Sequence, residues 1–567
     1  MTRYMPAPEV PEAVAAELQE LDPLLRKLLY ARGITTREDA GAFLEPSYTQ
    51  HLHDPFLLHD MDIAVARILA AITGGERVAI YSDYDCDGIP GAVVLHDFFK
   101  AIGFTTFENY IPHRHYEGFG FNKDAAEKLR DRGATLVITI DCGTSDIKAV
   151  AHARSLGLDV IITDHHEPKE ELPDAVAIVN PKVGSTYPFT GLCGSGVVYK
   201  LLQALLLRNA DVSAFTLTPG WEKWWLDMVA VATIADMVPL TGENRALAYY
   251  GLQVLRKSRR PGLQQLLRKQ RAAIQYLTED DIGFTIGPRI NAASRMDVPE
   301  DAFFMLASSD EAEAGAYADR LEKLNNERRG AVAAMTREVH GRIEALAELP
   351  SVLVFGNPGW RPSLLGLVAN KLAEEYGRPA FLWGRDGAGS FRGSCRSEGR
   401  TSVVALMDAV APLFAEYGGH HMSGGFCVHE ESIHSFAQAL QDAFGAAAAG
   451  FEETITIDAE LELDAIDRAF LSLQGKLAPF GMGNPKPVYL FRNVRPQTVA
   501  AFGKSGEHTK LLFQTQGLAK EAIAFFRKPD SFSALKGVAA SVDLYAHVEQ
   551  SFFLGRRQTR LRILDLR

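Results

Sequence analysis

The chain of 567 residues is 47% hydrophobic and 23% charged, the composition of an ordinary globular protein long enough for three or four domains of ~100–200 residues. Its net charge of −12 argues against a passive nucleic-acid coat, which is usually basic, but does not exclude an enzyme that gathers acids around metal ions and places local basic patches for its substrate. There is no run of ~18 apolar residues to span a membrane and no secretion signal. The five scattered cysteines form no CxxC pair, so a reducing, cytoplasmic setting is expected.

In chain order, residues 1–60 read as an N-terminal helical extension packed on the first domain. From 61 to 305, apolar strands alternate with helical stretches: ERVAIYSD, GIPGAVVLHDFFKAIG, FTTFENYIP, a helix in NKDAAEKLRDRG, ATLVITID, SDIKAVAHARSLG, LDVIITD and DAVAIVNP. Such alternation predicts βαβ units and a mostly parallel sheet covered on both faces. The proline-free stretch within 306–348 predicts one long helix acting as a spacer. Residues 349–450 read as a second α/β domain. Residues 451–567 read as a linker and short strands of a small OB-fold β-barrel. The predicted fold class is therefore α/β with a C-terminal barrel. Two basic runs, 256–271 and 555–562, are either solvated faces or nucleic-acid contacts.

Three of the predicted strands deliver acids to one sheet edge. One ends in Asp83, Asp85 and Asp87, another in Asp141, and a third in Asp164, His165 and His166. Ligands collect beyond the carboxyl ends of parallel strands. Singly, each acid has an ordinary explanation as a helix cap or turn residue, and DYDCDG also starts like a calcium loop, although Val94 stands where that loop needs glutamate. Together the carboxylates would repel one another unless cations intervene. Oxygen donors with imidazole and no thiolate suit Mn²⁺ or Mg²⁺, with Zn²⁺, Fe²⁺ and Co²⁺ as alternatives, and the acids, with Asp236, suffice for two ions. Of the two imidazoles, His166 is the one expected on metal. His165 is expected to touch substrate or orient the shell, and Asp164 to hold a ring by hydrogen bond. Glycine-rich stretches around Arg114, around Arg289, Asn291 and Arg295, around Arg396, and around His420 predict a polyanionic substrate.

The ordered set DYDCDG, ITIDCG, TDHHEP, ADMVPL, GPRINAASRM, GSCRS and GGHHMSGG resembles the DHH phosphoesterase superfamily, and within it the bacterial single-strand-specific 5′→3′ DNA exonucleases. The likeness runs from about residue 75 to the end and includes PFGMGNPKPVY, which there leads into an OB-fold. It implies a parallel-sheet DHH phosphoesterase domain at 61–305, a long connecting helix at 306–348, a DHH-associated substrate-binding domain at 349–450 and a single-strand-binding OB-fold in 451–567. It implies a catalytic metal site of Asp83, Asp85, Asp87, Asp141, His165, His166 and Asp236 holding two Mn²⁺ or Mg²⁺ ions. Arg114, Ser394 and Arg396 would hold a 5′-phosphate, with Ser397 and His420 in the same phosphate-binding stretches. Arg289, Asn291 and Arg295 would lie near the scissile phosphates, and Asn325, Asn326 and Arg328 would face a DNA channel. The sequence departs from the family pattern at Tyr81, Ser294, Arg361, Pro362 and Cys395, and Tyr81 stands where some relatives carry a metal-binding histidine.

The expected activity is two-metal hydrolysis of single-stranded DNA from the 5′ end to 5′-mononucleotides, in DNA repair and recombination. Two alternatives stand beside it: a short-oligonucleotide or cyclic-dinucleotide phosphodiesterase, and an inactive single-strand-binding scaffold. Expected partners are single-stranded DNA and a helicase or single-strand-binding protein, with no membrane and a monomeric chain.

Overall fold

The structure is a computed structural model describing residues 3–387, 389–447, 454–503, 506–517, 519–535, 541–553 and 556–567. After a short strand β1 (Arg3–Pro6) and N-terminal helices, the first sheet contains β2 (Val78–Ser82), β3 (Phe107–Tyr110), β4 (Leu136–Ile140), β5 (Asp159–Thr163) and β6 (Ala177–Val179). All its pairings are parallel, in the order β3-β2-β4-β5-β6. Alternate residues serve two cores. Val78, Ile80, Leu136, Ile138, Ile140 and Ile161 pack on the side of helices Met61–Gly74, Gly88–Ala101 and Gly194–Val212. Ala79, Tyr81, Val137, Val160 and Ile162 pack on the side of Lys123–Asp131 and Ile147–Ser155. Burial on both faces explains why these strands read as nearly continuous apolar runs. Because β3 and β4 flank β2 on opposite sides, the chain reverses its winding direction between β2 and β4. Ligands of open parallel sheets collect at such a reversal, beyond the carboxyl ends of the strands, and here those ends carry Asp83 and Asp141.

The long helix spans Glu311–Glu344 and is capped by Asp310, whose side chain accepts from the Glu313 amide at 2.7 Å. At ~1.5 Å per residue it reaches about 50 Å. Ala318, Leu321 and Leu324 on its first half join the core of the first domain, whereas Met335 and Val339 pack against helix Pro362–Tyr376. Each half is anchored in a different core, so the helix fixes the spacing of two domains. The second sheet holds β7 (Leu353–Gly356), β8 (Ala380–Arg385), β9 (Phe391–Arg396), β10 (Phe414–His420) and β11 (Ser423–Val428), ordered β10-β11-β9-β8-β7 with only β7–β8 parallel. The expected boundary at 450 lies outside the described residues.

The remaining strands are β12 (Thr454–Ile457), β13 (Ala459–Glu460), β14 (Tyr489–Val494), β15 (Pro496–Phe502), β16 (His508–Phe513), β17 (Lys520–Ala524), β18 (Val542–Phe553) and β19 (Arg556–Leu566). β13 to β19 form one sheet ordered β13-β14-β18-β19-β17-β16-β15. Among the described residues the sheet of this barrel-like module stays open: β13 offers only two residues, β15 is exposed along most of its length, and no ladder joins the two edges.

The N-terminal extension is also corrected. β1 pairs in parallel with β12, and Leu18, Leu25, Leu28 and Leu29 pack with Leu463, Phe470, Tyr489 and Phe491 of the C-terminal module rather than on the first domain. Helix Pro23–Tyr30 puts its leucines on one face, and the C-terminal sheet supplies the apolar partner surface. The segment that follows reaches the first domain, where Tyr250 Oη donates to Pro46 O at 2.7 Å. Arg245, fully buried, fastens the three parts by donating to the carbonyls of Phe43, Lys476, Leu477 and Ala478. In the basic run 256–271, Arg260 pairs with Asp97 and Asp227 and Arg256 donates to Leu277 O, whereas Lys257, Arg259, Arg268, Lys269 and Arg271 are exposed and Lys269 pairs with Asp319 at the surface. In the run 555–562, Gly555 lies outside the described residues, Arg560 pairs with Glu521, and Arg562 lies over the Phe525 ring at 4.4 Å. No helix among the described residues is long and apolar enough to cross a membrane.

Candidate active site

Where β2 ends, the loop Asp83–Asp87 turns into helix Gly88–Ala101. Asp85 Oδ1 accepts from the Asp87 amide at 2.8 Å, and Asn291 Oδ1 accepts from the Cys86 amide at 3.0 Å, which pins the loop to helix Gly287–Met296. Asp87 points at the start of helix Gly194–Val212: its Oδ2 accepts from the Gly194 amide at 2.6 Å and its Oδ1 from the Ser195 amide at 2.7 Å. Free N–H groups at a helix start suit a carboxylate. Gly194 is there because Asp141 crowds it; a Cβ would stand 2.7 Å from Asp141 Cβ. Asp141, at the end of β4, adopts φ +62° and donates its amide to Thr163 O at 2.9 Å.

Beyond β5 the three residues Asp164, His165 and His166 divide their tasks. Asp164 is buried and takes hydrogen bonds from the amides of His165 (2.7 Å), His166 (3.2 Å) and Thr144 (3.0 Å) and from His166 Nδ1 (2.7 Å). The ionised carboxylate only accepts, so His166 Nδ1 carries the proton. Burial opposes charge on Asp164, but the bonds from His166 and Thr144 outweigh it and hold the group well below the usual carboxylate range. Burial likewise opposes charge on His166, and the Asp164 hydrogen bond overrides it, raising that imidazole to about 9. The neighbouring His165 points the other way, into the acids. Its Nε2 lies 3.1 Å from Asp141 Oδ1 and 3.7 Å from both Asp87 Oδ2 and Asp236 Oδ2, and burial lowers its pKa. The chain leaves strand geometry at Asp164, so the Asp164 carboxylate captures His166 by the expected hydrogen bond while His165 turns towards the acids.

Three trios of donors, with one ligand atom from each residue, lie within 4.8 Å: Asp83, Asp85 and Asp141; Asp87, His165 and Asp236; and Asp141, His165 and His166. Asp83 Oδ1 and Asp141 Oδ1 are buried and make no hydrogen bond. Burial, then Asp85, pushes Asp83 well above the usual carboxylate range. Burial and then Asp87 do the same to Asp141, and they raise Asp236 to about 9. Orphaned oxygens in a crowd of mutually repelling acids are what bound cations relieve, so the residues fit divalent ions. Tyr81 is no ligand, since its hydroxyl donates to Gly120 O at 2.7 Å in the opposite core.

A cationic wall stands beside the acids. Arg114 lies over the Tyr84 ring at 4.9 Å. Arg295 exchanges hydrogen bonds with Ser363, both 2.8 Å; burial and then the charge of Arg114, with Arg328 and Arg396 near, lower its pKa to about 9. Arg396 Nη1 donates to Ser394 Oγ at 3.0 Å, and neither Arg396 nor Arg295 has a carboxylate partner among the described residues. Arg328 is braced by Asn325 Oδ1 at 2.9 Å. Across the second sheet Arg396 pairs with Ser423, which pairs with His420, while Ser397 is buried and its Oγ accepts from the Gly399 amide. Two candidates are otherwise engaged: Arg289 pairs with Glu322 at 2.6 Å, and Asn326 donates to Glu322. Supporting residues that the sequence did not single out are Thr144, Ser195 and Asn180, the last donating to His166 O at 2.9 Å. The run GLCGSG before a helical stretch was the available signal for Gly194 and Ser195.

Comparison with known proteins follows the same partition. Residues 77–233 match the DHH family, N-terminal domain, residues 349–446 the DHHA1 domain, and residues 457–565 the RecJ OB domain. The single-stranded-DNA-specific exonuclease RecJ of Bacillus subtilis (strain 168) is 35% identical over 521 residues, covering 90% of this chain; the chain spans only 64% of that protein's length. RecJ of Salmonella typhimurium is 32% identical over 490 residues, covering 83% of each chain. The crystal structure of RecJ from Thermus thermophilus in complex with Mn²⁺ superposes with a TM-score of 0.81 at 27% identity, covering 100% of this chain and 79% of that one.

Proposed function

The chain belongs to the RecJ family of single-stranded-DNA-specific exonucleases, and from that membership we propose that it hydrolyses single-stranded DNA from a 5′ end to 5′-mononucleotides with two divalent cations, Mn²⁺ or Mg²⁺, in DNA repair and recombination. The observation that carries this reading is the apposition of two opposite surfaces: the acids at the ends of β2 and β4, with His165 among them, and the arginines 114, 295, 328 and 396 beside them. A metal site alone would serve any phosphoester. A metal site bordered by a wall of unneutralised guanidinium groups from both α/β domains suits a polyanionic strand.

In this reading Asp83, Asp85 and Asp141 would hold one ion, and Asp87, His165 and Asp236 the other, with Asp141 adjoining both trios. Such a pair of ions, when bound, acidifies water and offsets phosphoryl charge. The chain's own groups do the rest. Asp164 holds the His166 ring through its Nδ1–H, so the half-exposed ring keeps a fixed orientation towards the phosphodiester. Arg396, Ser394 and Arg114 grip the terminal phosphate, which registers the strand by its 5′ end. Arg295, fixed by Ser363, and Arg328, fixed by Asn325, neutralise neighbouring phosphates. Ser397 and His420 extend the grip from the second sheet. Arg289 and Asn291 act one step back, Asn291 by holding the Cys86 amide and Arg289 through Glu322. The C-terminal module would bind the strand further along by base stacking and charge. The chain works as a monomer on strands released by a helicase or covered by a single-strand-binding protein. Its five cysteines are unpaired, in keeping with the cytoplasm.

The test compares a 5′-labelled single strand, a blunt duplex and a dinucleotide, each with Mn²⁺. Immediate release of labelled mononucleotide from the single strand, with the duplex resistant, is expected. Preference for the dinucleotide would replace this reading with a short-oligonucleotide phosphodiesterase.

A further inference from the structure

A cavity of about 350 Å³ lies away from the metal acids, lined by the rings of Tyr48, Trp224 and Tyr250, by Gln253, and by Lys223 and Lys257. This volume falls in the lower part of the ~300–1,000 Å³ range of small-molecule sites. The cavity opens where helix Leu226–Ala235 begins, whereas Asp236 caps the other end of that helix. Ten residues at ~1.5 Å each separate it from the acids by about 15 Å.

Its walls are held in place from behind. Tyr48 Oη is bonded to Tyr199 Oη at 2.6 Å, Tyr250 Oη donates to Pro46 O at 2.7 Å, and the two rings meet edge to face at 6.0 Å. Both hydroxyls are therefore committed to the fold, so what the two rings offer the cavity is apolar aromatic surface rather than a hydroxyl. Lys223 Nζ lies over the Tyr48 ring at 4.8 Å, a contact that leaves its charge uncancelled, and neither Lys223 nor Lys257 has an ion-pair partner among the described residues. In contrast, the nearby Arg260 and Lys269 are both neutralised by carboxylates. Trp224 is 43% exposed, a large apolar ring left open to solvent at the cavity's edge.

Two exposed ammonium groups stand beside aromatic rings here, so an uncharged apolar ligand would gain nothing from the charge and a simple inorganic anion nothing from the rings. A flat aromatic group joined to a phosphate uses both, and Gln253 adds one donor and one acceptor for the edge of a base. We propose that this cavity is a binding site for a nucleoside 5′-phosphate, with the base on the aromatic rings and the phosphate on Lys223 and Lys257. The assignment rests on the cavity's chemistry alone and stands or falls independently of the nuclease reading.

The test is calorimetric titration of the full-length chain, in the presence of Mn²⁺, with dAMP, deoxyadenosine, inorganic phosphate and an acidic peptide ending in phenylalanine. An Arg396→Met variant weakens phosphate binding at the proposed catalytic site, and the double variant Lys223→Ala/Lys257→Ala removes both ammonium groups from the cavity. The expected result is saturable dAMP binding that survives Arg396→Met and weakens at least about tenfold in the lysine variant, with deoxyadenosine and phosphate each about tenfold weaker than dAMP. The lysine variant should keep the wild-type nuclease rate, which also reports that it folds. Absence of saturable dAMP binding overturns the proposal. So does binding that disappears with Arg396→Met but not with the lysine pair, or tighter binding of the peptide than of dAMP.

Discussion

Replacing Gly194 by alanine should damage catalysis far more than folding. The added Cβ would stand 2.7 Å from Asp141 Cβ, 2.8 Å from its Oδ1 and 2.9 Å from its Cγ. Ordinary contact begins near 3.4 Å, so Asp141 or the helix start must move by roughly 0.5–1 Å. Overpacking of this size costs about 1–3 kcal/mol of stability. A shift near 1 Å at a reacting centre costs on the order of 100-fold in rate. The displaced helix start would also disturb the Gly194 and Ser195 amides that hold Asp87, so both proposed ion trios are affected. The assay is kcat on a 5′-phosphorylated single strand across a Mn²⁺ titration, paired with a thermal melt. The expected outcome is a kcat lower by about 100-fold, a Mn²⁺ dependence shifted to higher concentration, and a Tm lower by only a few degrees. Gly196→Ala is the control, because its Cβ would meet Leu192 Cδ2 at an ordinary 3.5 Å. A Gly194→Ala enzyme with wild-type rate and unchanged Mn²⁺ dependence would refute the placement of Asp141 at the reacting centre.

Arg396→Met should weaken use of 5′-phosphorylated strands by about 10–100-fold in kcat/KM while leaving 5′-hydroxyl strands nearly unaffected, read by steady-state kinetics on both. In the metal-free chain, Asp164→Asn should return His166 from about 9 towards ~6.5 in an NMR titration. Because that pKa is raised by folding, the stabilisation it brings is complete below ~6.5 and is lost as pH climbs through about 9. Denaturant midpoints of the wild type should therefore fall across that window, and those of Asp164→Asn should fall less. Arg245→Met strips donors from the four carbonyls of Phe43, Lys476, Leu477 and Ala478, and should cost about 2–5 kcal/mol in chemical unfolding. An unchanged midpoint would show that the N-terminal and C-terminal segments are held by other contacts.

The carboxylates at the strand ends were legible in the sequence because parallel strands advertise themselves. Val78–Ser82 and Leu136–Ile140 are buried on both faces, so each apolar run stops where the sheet edge begins, and Asp83 and Asp141 stand at those stops. The division of labour between His165 and His166 was not legible. It depends on backbone geometry after Thr163 and on which ring the Asp164 carboxylate captures, neither of which a two-residue periodicity describes. The long helix was visible from its helix formers and missing prolines, yet the engagement of Arg289 by Glu322, from two distant stretches, was not. The docking of Leu25, Leu28 and Leu29 onto the C-terminal sheet is a tertiary choice between two apolar surfaces. Helical periodicity announces that such a face exists and is silent about its partner. Tyr81 shows the reverse case: its place in the motif invites a ligand role, and strand alternation turns it into the opposite core.

The central claim is that the acids around Asp141 hold the cations that cleave a single strand gripped elsewhere by arginines. The most direct measurement is Asp141→Ala, assayed for release of 5′-labelled mononucleotide over a Mn²⁺ series and, on the same preparation, for single-strand binding. The account predicts that cleavage is abolished at every Mn²⁺ concentration while the strand still binds within a fewfold of wild type. Digestion at the wild-type rate by Asp141→Ala would contradict it.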